Sequence, residues 1–239
     1  CLIWSFIFFL FLIRFVYAAL IELSPEEAYY WNYAMHPALS YFDHPPMVAW
    51  VIRTGTLLFG NTEIGVRLGG IFLAMGSTYL IYFLGTMWFN KKSGLIAALL
   101  FQIIPIYFIY GFNVTPDIPL LFFWLLTLYC VSVAVQKDKS WAWFVAGGSL
   151  GCTMLSKYTG VMLIPSTFLF LVLNRPYRKW LLKKEPYIAL LISLLVFSPV
   201  IVWNYHYYWA SFIFQFSRRF SEHAAHPLLS FLEFFGSQM

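Results

Sequence analysis

The chain has 239 residues, of which 61% are hydrophobic and only 10% are charged, and its mean hydropathy is +0.74. This composition excludes an ordinary water-soluble enzyme, because too few charged side chains are present to cover a globular surface. The net charge of +5 would suggest nucleic acid in a soluble protein, but here the positions of the cations matter more than their sum, and we expect no nucleic-acid partner. The composition indicates an all-α polytopic membrane protein whose apolar exterior is solvated by membrane lipids.

Apolar windows of the length needed to cross a bilayer recur along the chain. They predict seven spans, near residues 2–20, 64–88, 94–112, 118–135, 141–156, 158–173 and 187–204. A further apolar stretch after Pro227 is interpreted as the start of an eighth span. Because the chain opens at Cys1 without an initiator Met and stops inside this stretch, we expect residues 1–239 to form one truncated transmembrane domain.

The first loop, residues 22–63, has the pattern of two interfacial helices. Ser24, Pro25 and Glu27 fit the N-cap, first and third helical positions of a capping box, which predicts the start of a short helix. After the proline pair at 45–46, the apolar sequence MVAWVIRTGTLLFG predicts a second helix that lies in the membrane plane.

The distribution of cations predicts the orientation of the chain in the membrane. Nine of the fifteen Lys and Arg residues fall in three loops, 89–93, 136–140 and 174–186. By the positive-inside rule these loops are cytoplasmic. The first loop, the turn at 112–117 and the segment 205–227 then lie on the extracytoplasmic face, so we expect the candidate functional residues to share that face of a cell (inner) membrane.

Glu26 and Glu27 are candidate catalytic residues, because ionisable groups at a membrane surface are costly to hold without a use. Neighbouring residues of a helix point about 100° apart, so the two carboxylates cannot serve the same atom equally. For Glu27 the alternative is a capping side chain bonded back to the Ser24 amide. For Glu26 the alternative is an acid that complements the helix dipole.

Asp43 and His44 precede the rigid pair Pro45 and Pro46, which restricts the local backbone. A carboxylate beside an imidazole could share a divalent cation or hold a phosphate, although two residues fall short of a coordination set. Ordinary turn chemistry is the alternative. We therefore treat Asp43 as a candidate metal ligand, His44 as a candidate phosphate-binding residue and a divalent metal ion as a candidate cofactor.

Asp117 opens the fourth predicted span, where Thr115 is expected to cap the helix, so its carboxylate is either functional or an ordinary helix-terminal acid. Lys157, Arg218 and Arg219 are cations on the acidic face. Phosphate is a natural ligand for them, and the planar guanidinium suits phosphate oxygens particularly well. The alternative for Lys157 is that it extends to water from an interfacial position.

Four motifs, PEEAYYW, YFDHPP, TPDIPLLFFW and LSKYTG, occur in this order on one predicted membrane face. With them the chain resembles the PMT-type glycosyltransferases of the GT-C membrane fold, which include protein O-mannosyltransferases and the aminoarabinose transferase of lipid A. The resemblance implies a GT-C-like bundle of transmembrane helices. It also implies inverting transfer of a sugar from an undecaprenyl- or dolichyl-type phosphate donor to a protein or lipid acceptor.

The resemblance also implies roles for single residues. Glu26 stands where the family has its catalytic acid, usually Asp, and Glu27 where the family has a second acid. Glu26 would take the proton of the acceptor as general base, and Asp117 would orient the sugar or the cations. His44 stands where some members have Lys. The groups expected to offset the charge of the leaving phosphate are Lys157, Arg218, Arg219 and a cation held by Asp43.

A transporter or lipid flippase that uses the same carboxylates for ion coupling is the alternative function. Such carriers place acids and broken helices near the bilayer midplane and show repeated halves. Here the acids gather at one surface and no internal repeat is evident. A purely structural scaffold would explain the apolar mass of the chain but not the convergence of acids.

Overall fold

The computed structural model describes residues 2–221, with side chains from 4 to 215, and this part of the chain consists of helices and short connections without a strand. The α-helices are α1 (Leu2–Leu20), α2 (Pro25–Met35), α3 (Met47–Phe59), α4 (Glu63–Trp88), α5 (Lys91–Ile103), α6 (Pro105–Tyr110), α7 (Asp117–Gln136), α8 (Trp141–Ser156), α9 (Leu163–Leu173), α10 (Glu185–His206) and α11 (Ala210–Ser221). Two 3₁₀ helices, Tyr158–Met162 and Arg175–Leu182, flank α9. The all-α prediction is confirmed, whereas the predicted eighth span lies outside the described residues.

One predicted span is interrupted. The window 94–112 is divided into α5 and α6, and Ile104 between them is extended, with φ −65° and ψ 122°. Pro105 has no amide hydrogen to donate, and it disfavours the helical conformation of the residue before it. The predicted span near 94–112 is therefore built from two helices, and its crossing of the membrane stays a prediction.

By length and composition, α4, α7 and α10 are able to cross a membrane. Two more spans are obtained if each of two bent pairs is counted as one: α1 with α2, bent by 79°, and the Tyr158–Leu173 segment with the 3₁₀ helix that follows it, bent by 119°. Helix α8 covers the whole predicted window 141–156, but with 16 residues it is short for crossing the hydrocarbon core of a bilayer, which needs about 20. The count of seven spans therefore stays a prediction.

The second half of the bundle is held together by close contact between α8 and its neighbours. At Gly147 an added Cβ would lie 2.4 Å from the carbonyl oxygen of Ala189, so only glycine permits this approach of α8 to α10. Small residues allow such helix contacts in membranes. On its other side α8 meets α7, where Thr127 donates a hydrogen bond to Ser149 at 2.9 Å.

The first half of the bundle contains a buried polar network. The Arg14 guanidinium donates to the side chain of Gln102, whose amide donates to Thr78. The same guanidinium lies 4.8 Å from the ring centroid of Phe108, a contact between a cation and an aromatic face. These contacts connect α1, α4, α5 and α6, and so restrain the chain that leads into the turn at 112–117.

Helices α2 and α3 pack on the start of α7. The capping box that the sequence predicts is present: Ser24 Oγ accepts from the Glu27 amide at 3.2 Å, and the Ser24 amide donates to Glu27 Oε2 at 2.9 Å. Tyr30 of α2 and Ile52 of α3 share one buried cluster with Ile118 of α7. The first loop is thus folded onto the end of the bundle rather than extended away from it.

Candidate active site

Helix α2 presents one face of acidic and phenolic side chains. Glu26, Tyr30 and Tyr33 are spaced by four and three residues, so they follow each other along one side of the helix, with Tyr29 adjacent. Tyr30 is 5% exposed, whereas Glu26 is exposed and makes no hydrogen bond or ion pair with any residue in the described range. Among the side chains described from 4 to 215, Glu26 therefore has no partner.

Two tyrosines of this face hold Asp43. The Tyr33 hydroxyl donates to Asp43 Oδ1, and the Tyr29 hydroxyl donates to Asp43 Oδ2 at 3.1 Å. His44 Nδ1 lies 3.3 Å from Asp43 Oδ2, but the two are not aligned as a hydrogen bond, so we regard the contact as electrostatic. The Tyr33 ring in turn stacks on Tyr41 at a centroid distance of 3.9 Å. Asp43 is thereby fixed to α2.

These contacts set the protonation states of the cluster formed by Asp43, Tyr29 and Tyr33. Burial alone would raise the pKa of Asp43, but His44 and the hydroxyls of Tyr33 and Tyr29 together hold it below its ordinary value. Burial raises the pKa of Tyr33, and the nearby Asp43 raises it further. At neutral pH the cluster therefore combines an anionic Asp43 with neutral tyrosines that donate to it.

The predicted metal site at Asp43 lacks a full set of ligands. Across residues 2–221 no group of three or more His, Cys, Asp or Glu side chains is arranged to hold a metal ion. Asp43 and His44 are a pair, and the other contacts of the Asp43 carboxylate are tyrosine hydroxyls. Because two residues fall short of the usual coordination number, we derive no step through a metal ion.

Three carboxylates from distant parts of the chain lie near enough to Tyr30 for their charges to act on it. Burial is the main cause of the raised pKa of Tyr30, and the charges of Glu26, Asp43 and Asp117 contribute to it as well. The Tyr30 ring also meets His44 edge-on at a centroid distance of 5.7 Å. The predicted acids therefore share one neighbourhood, which three separate segments build.

Asp117 is paired with Lys157. Lys157 Nζ lies 2.8 Å from Asp117 Oδ1, and the two side chains are 30% and 38% exposed. Asp117 is the first residue of α7, and Lys157 ends α8 in an extended conformation, with φ −157° and ψ 142°. Thr115 does not cap α7 as predicted: the N-cap is Pro116, and no side chain bonds to the end of the helix. This pair places a positive charge beside the acids.

The structure does not support a catalytic role for Glu27, because its carboxylate is buried and fully bonded. Arg67 Nε and Nη2 each donate to it at 2.7 Å, one to each oxygen. The amides of Ser24 and Val114 donate to it as well. Both side chains of the Glu27–Arg67 pair are at most 2% exposed. Since the Ser24 hydroxyl also donates to Asn113 at 3.0 Å, these contacts join the start of α2 to the turn before Asp117.

Helix α11 closes over the loop that carries Asp43. The side-chain amide of Gln215 donates to the backbone carbonyl of Asp43, and the ring of Phe214 lies 4.6 Å from that of Phe42. Arg218 and Arg219 follow Gln215 within the next turn of α11. Their side chains lie outside the described part, so their role as phosphate ligands stays a prediction.

Sequence reasoning missed the residues that position the site. These are Tyr29 and Tyr33, which hold Asp43, Arg67, which binds Glu27, and Gln215, which binds the loop. The spacing of Tyr29 and Tyr33 by four residues, on the same helix face as Glu26, was a usable signal. The partner of Arg67 is 40 residues away in the sequence, and no local pattern indicates it.

Fold and site together define an integral, polytopic α-helical membrane protein with acids and cations gathered at its helix ends. The chain belongs to the dolichyl-phosphate-mannose-protein mannosyltransferase family, whose family model matches residues 43–203. This confirms the resemblance that the four motifs carry. The matched range includes Asp43, His44, Asp117 and Lys157, and it begins after Glu26.

Curated relatives agree with this assignment. The undecaprenyl phosphate-alpha-4-amino-4-deoxy-L-arabinose arabinosyl transferase of Erwinia tasmaniensis is 24% identical over 204 residues, which cover 78% of this chain and 36% of the relative. A lipid A galacturonosyltransferase of Rhizobium johnstonii is 26% identical over 180 residues, 75% of this chain and 38% of the relative. The undecaprenyl phosphate-alpha-4-amino-4-deoxy-L-arabinose arabinosyl transferase 2 of Proteus mirabilis is 24% identical over 223 residues, which cover 85% of this chain and 40% of the relative. The chain thus spans about two fifths of these relatives, and no solved structure matches it.

Proposed function

We propose that the whole protein is a glycosyltransferase that moves a sugar from a polyprenyl-phosphate carrier to an acceptor at the extracytoplasmic surface of the inner membrane. Membership of the mannosyltransferase family supports this class of reaction. The name of one relative includes undecaprenyl phosphate, which supports a polyprenyl-phosphate carrier, and the name of another, a lipid A galacturonosyltransferase, favours a lipid acceptor over a protein. The observation that carries the proposal is that α2, which carries Glu26, binds Asp43 through Tyr29 and Tyr33 and packs on the start of α7, where Asp117 pairs with Lys157.

Glu26 is proposed as the general base. Of the three acids near Tyr30 it alone has no hydrogen bond or ion pair with the side chains described from 4 to 215, because Asp43 is held by tyrosines and Asp117 by Lys157. The Glu26 carboxylate would take the proton of the acceptor hydroxyl while the acceptor oxygen attacks the anomeric carbon. The bond from that carbon to the phosphate oxygen breaks, its electron pair leaves with the phosphate, and the configuration inverts.

Lys157 and His44 are proposed to receive the phosphate. A leaving phosphate needs charge compensation more than it needs a proton, and a fixed cation provides this without reorganisation. The pair with Asp117 at 2.8 Å holds the Lys157 ammonium in place, yet the side chain remains 30% exposed, so it is accessible to a ligand. Asp117 is thus proposed to orient Lys157, and Arg218 and Arg219 are kept as further phosphate ligands.

The positions of the acids disfavour the transporter alternative. Glu26 lies in the first turn of α2 and Asp117 in the first turn of α7, while Asp43 lies in a loop. Coupled carriers hold their acids near the midplane of the bilayer. The relatives are also named as transferases. We therefore propose group transfer rather than translocation.

Replacement of Glu26 by Gln in the full-length protein tests the proposal. Membranes that contain the variant would be supplied with a radiolabelled polyprenyl-phosphate sugar, and the labelled acceptor would be measured. We expect turnover to fall by about 10²-fold or more, as is typical for loss of a general base. Glu22→Gln is the matched control, because Glu22 is an exposed carboxylate just before the same helix. Unchanged turnover in Glu26→Gln would refute the base assignment, and movement of label without a new glycosidic bond would indicate a carrier.

A further inference from the structure

An apolar cleft separates α9 from the rest of the bundle. Its walls are formed by side chains of four helices: Thr127 of α7, Ala146 and Leu150 of α8, Thr167 and Leu171 of α9, and Leu190 of α10. The cleft has an empty volume of about 670 Å³, its open side included. None of its lining residues takes part in the site around Tyr30.

The packing of α8 explains why the cleft exists. At Gly147 the backbones of α8 and α10 approach so closely that an added Cβ would lie 2.4 Å from the Ala189 carbonyl oxygen. Helix α9 meets this pair through side chains, since Leu171 shares a buried cluster with Ala146 and Ala189, and cleft-lining residues follow one another along α9 from Leu163 to Leu171. At a rise of about 1.5 Å per residue this is a channel about 12 Å long. Its length and apolar walls suit a hydrocarbon chain.

One end of the cleft lies at a strongly basic loop. The 3₁₀ helix Arg175–Leu182 turns by 119° from the α9 segment. Leu181 and Pro186 line the cleft, and Lys183 and Lys184 lie between them in the sequence. The chain segment that joins two lining residues at this end of the cleft therefore carries two lysines.

The loops near this end of the cleft carry more positive charge than their own carboxylates can neutralise. The loops 136–140 and 174–186 contain seven cations and two carboxylates. Asp138 is engaged by Lys179 at 2.9 Å and by Lys183 at 3.9 Å, and Glu185 accepts from Ser140 at 3.2 Å. The remaining excess of positive charge favours an anion from outside this region.

The side chains near this end of the cleft resemble those of protein surfaces at a membrane interface. The Lys183 ammonium lies over the Trp180 ring, 4.1 Å from its centroid, and its side chain is still 39% exposed. Leu182 is 93% exposed and Tyr187 is 56% exposed. Apolar side chains beside exposed lysines are typical of protein surfaces in contact with anionic lipid.

We propose that the cleft between α8, α9 and α10 binds one anionic phospholipid, with an acyl chain along α9 and the headgroup phosphate at Lys183 and Lys184. Charge complementarity selects the occupant: a neutral lipid would fill the cleft but leave Lys183 with only its 3.9 Å contact to Asp138, which Lys179 shares. This site is distinct from the acids around Tyr30, and it does not depend on the glycosyltransferase proposal. Its role would be to fix α9 and the basic loop against the membrane.

Native mass spectrometry of the full-length protein tests the site. The protein would be released from vesicles of equal parts dioleoyl phosphatidylglycerol and dioleoyl phosphatidylcholine, and the retained lipids counted. We expect one retained phosphatidylglycerol. The variant Lys183→Gln/Lys184→Gln should lower the preference for phosphatidylglycerol by about 25-fold, since each lysine near an anionic headgroup contributes a factor of about five. Thr167→Trp should fill the cleft and abolish retention of either lipid.

Two control variants keep the test specific. Lys91→Gln/Lys92→Gln removes two neighbouring exposed lysines that do not border the cleft, and Leu169→Trp adds the same bulk to an outward position of α9. Both should retain phosphatidylglycerol as the wild type does. The proposal is overturned if Lys91→Gln/Lys92→Gln reduces retention equally, if Thr167→Trp retains the lipid, or if the wild type retains none because a later span of the full-length protein fills the cleft.

Discussion

Loss of the Arg67 side chain should release the first loop from the bundle. In the variant Arg67→Met the buried Glu27 carboxylate loses both of its 2.7 Å charged hydrogen bonds. The guanidinium also donates to the carbonyl oxygens of Ala18, Ile21 and Glu22, at 3.1, 2.6 and 2.9 Å. The variant therefore leaves one buried charge and three carbonyl groups without this donor.

The magnitude follows from the burial of the pair. Removing one partner of a buried ion pair costs about 3–5 kcal/mol, because the other charge stays buried and unpaired. The double variant Arg67→Met/Glu27→Gln removes the stranded charge and keeps an acceptor for the amides of Ser24 and Val114. We expect it to recover roughly half of the loss, since neutral buried hydrogen bonds contribute about 1 kcal/mol each.

Hydrogen exchange measured by mass spectrometry is the appropriate assay. A loss of about 3 kcal/mol corresponds to opening that is roughly 100-fold more frequent. Faster exchange should appear in α2 and in the turn at 112–117, which Glu27 joins, and not in α8. Arg53→Met is the control, because Arg53 is an exposed cation of α3. Wild-type exchange rates in Arg67→Met would refute this account of how α2 is held.

Three further predictions concern Asp117, Tyr33 and Asp43. Asp117→Asn should lower turnover at least about tenfold, because it releases Lys157. It should change the melting temperature little, because exposed ion pairs contribute about 0–1 kcal/mol. Equal loss of stability and activity would contradict the role of Asp117 in positioning Lys157. The pKa of Tyr33 is raised from 10.0, so its stabilising contribution should be complete below pH 10.0 and decline as the pH rises further. Tyr33→Phe should flatten this alkaline decline in melting temperature. The pKa of Asp43 is lowered from 3.8, so the stability that its carboxylate contributes should be present above pH 3.8 and lost as the pH falls below that value. Asp43→Asn should therefore remove this fall of the melting temperature at acid pH. An unchanged dependence of the melting temperature on acid pH would contradict the stabilising role of Asp43.

Local features of the sequence were predicted well. The capping box at Ser24 and Glu27 depends on residues three apart, so its geometry follows from the helix itself. The interruption at Pro105 also has a local cause that could have been recognised, namely a proline inside an apolar window. The four motifs, taken together in their order, were sufficient to indicate the family.

Roles that depend on distant partners were not predictable. Glu26 and Glu27 are equivalent in the sequence, and only the fold separates them, because α2 turns Glu27 toward Arg67 and leaves Glu26 exposed. Asp43 resembles a metal ligand in the sequence, yet two tyrosines of another segment bind it. A local pattern carries no information about which side chain will arrive from elsewhere.

Composition and periodicity alone therefore determined that this chain is an α-helical membrane protein, because the bilayer requires long apolar helices whatever their neighbours are. Tertiary structure decided which ionisable groups are structural and which stay available. Burying a charge is tolerated only where a partner is provided. That partner is supplied by the packing of helices that lie far apart in the sequence.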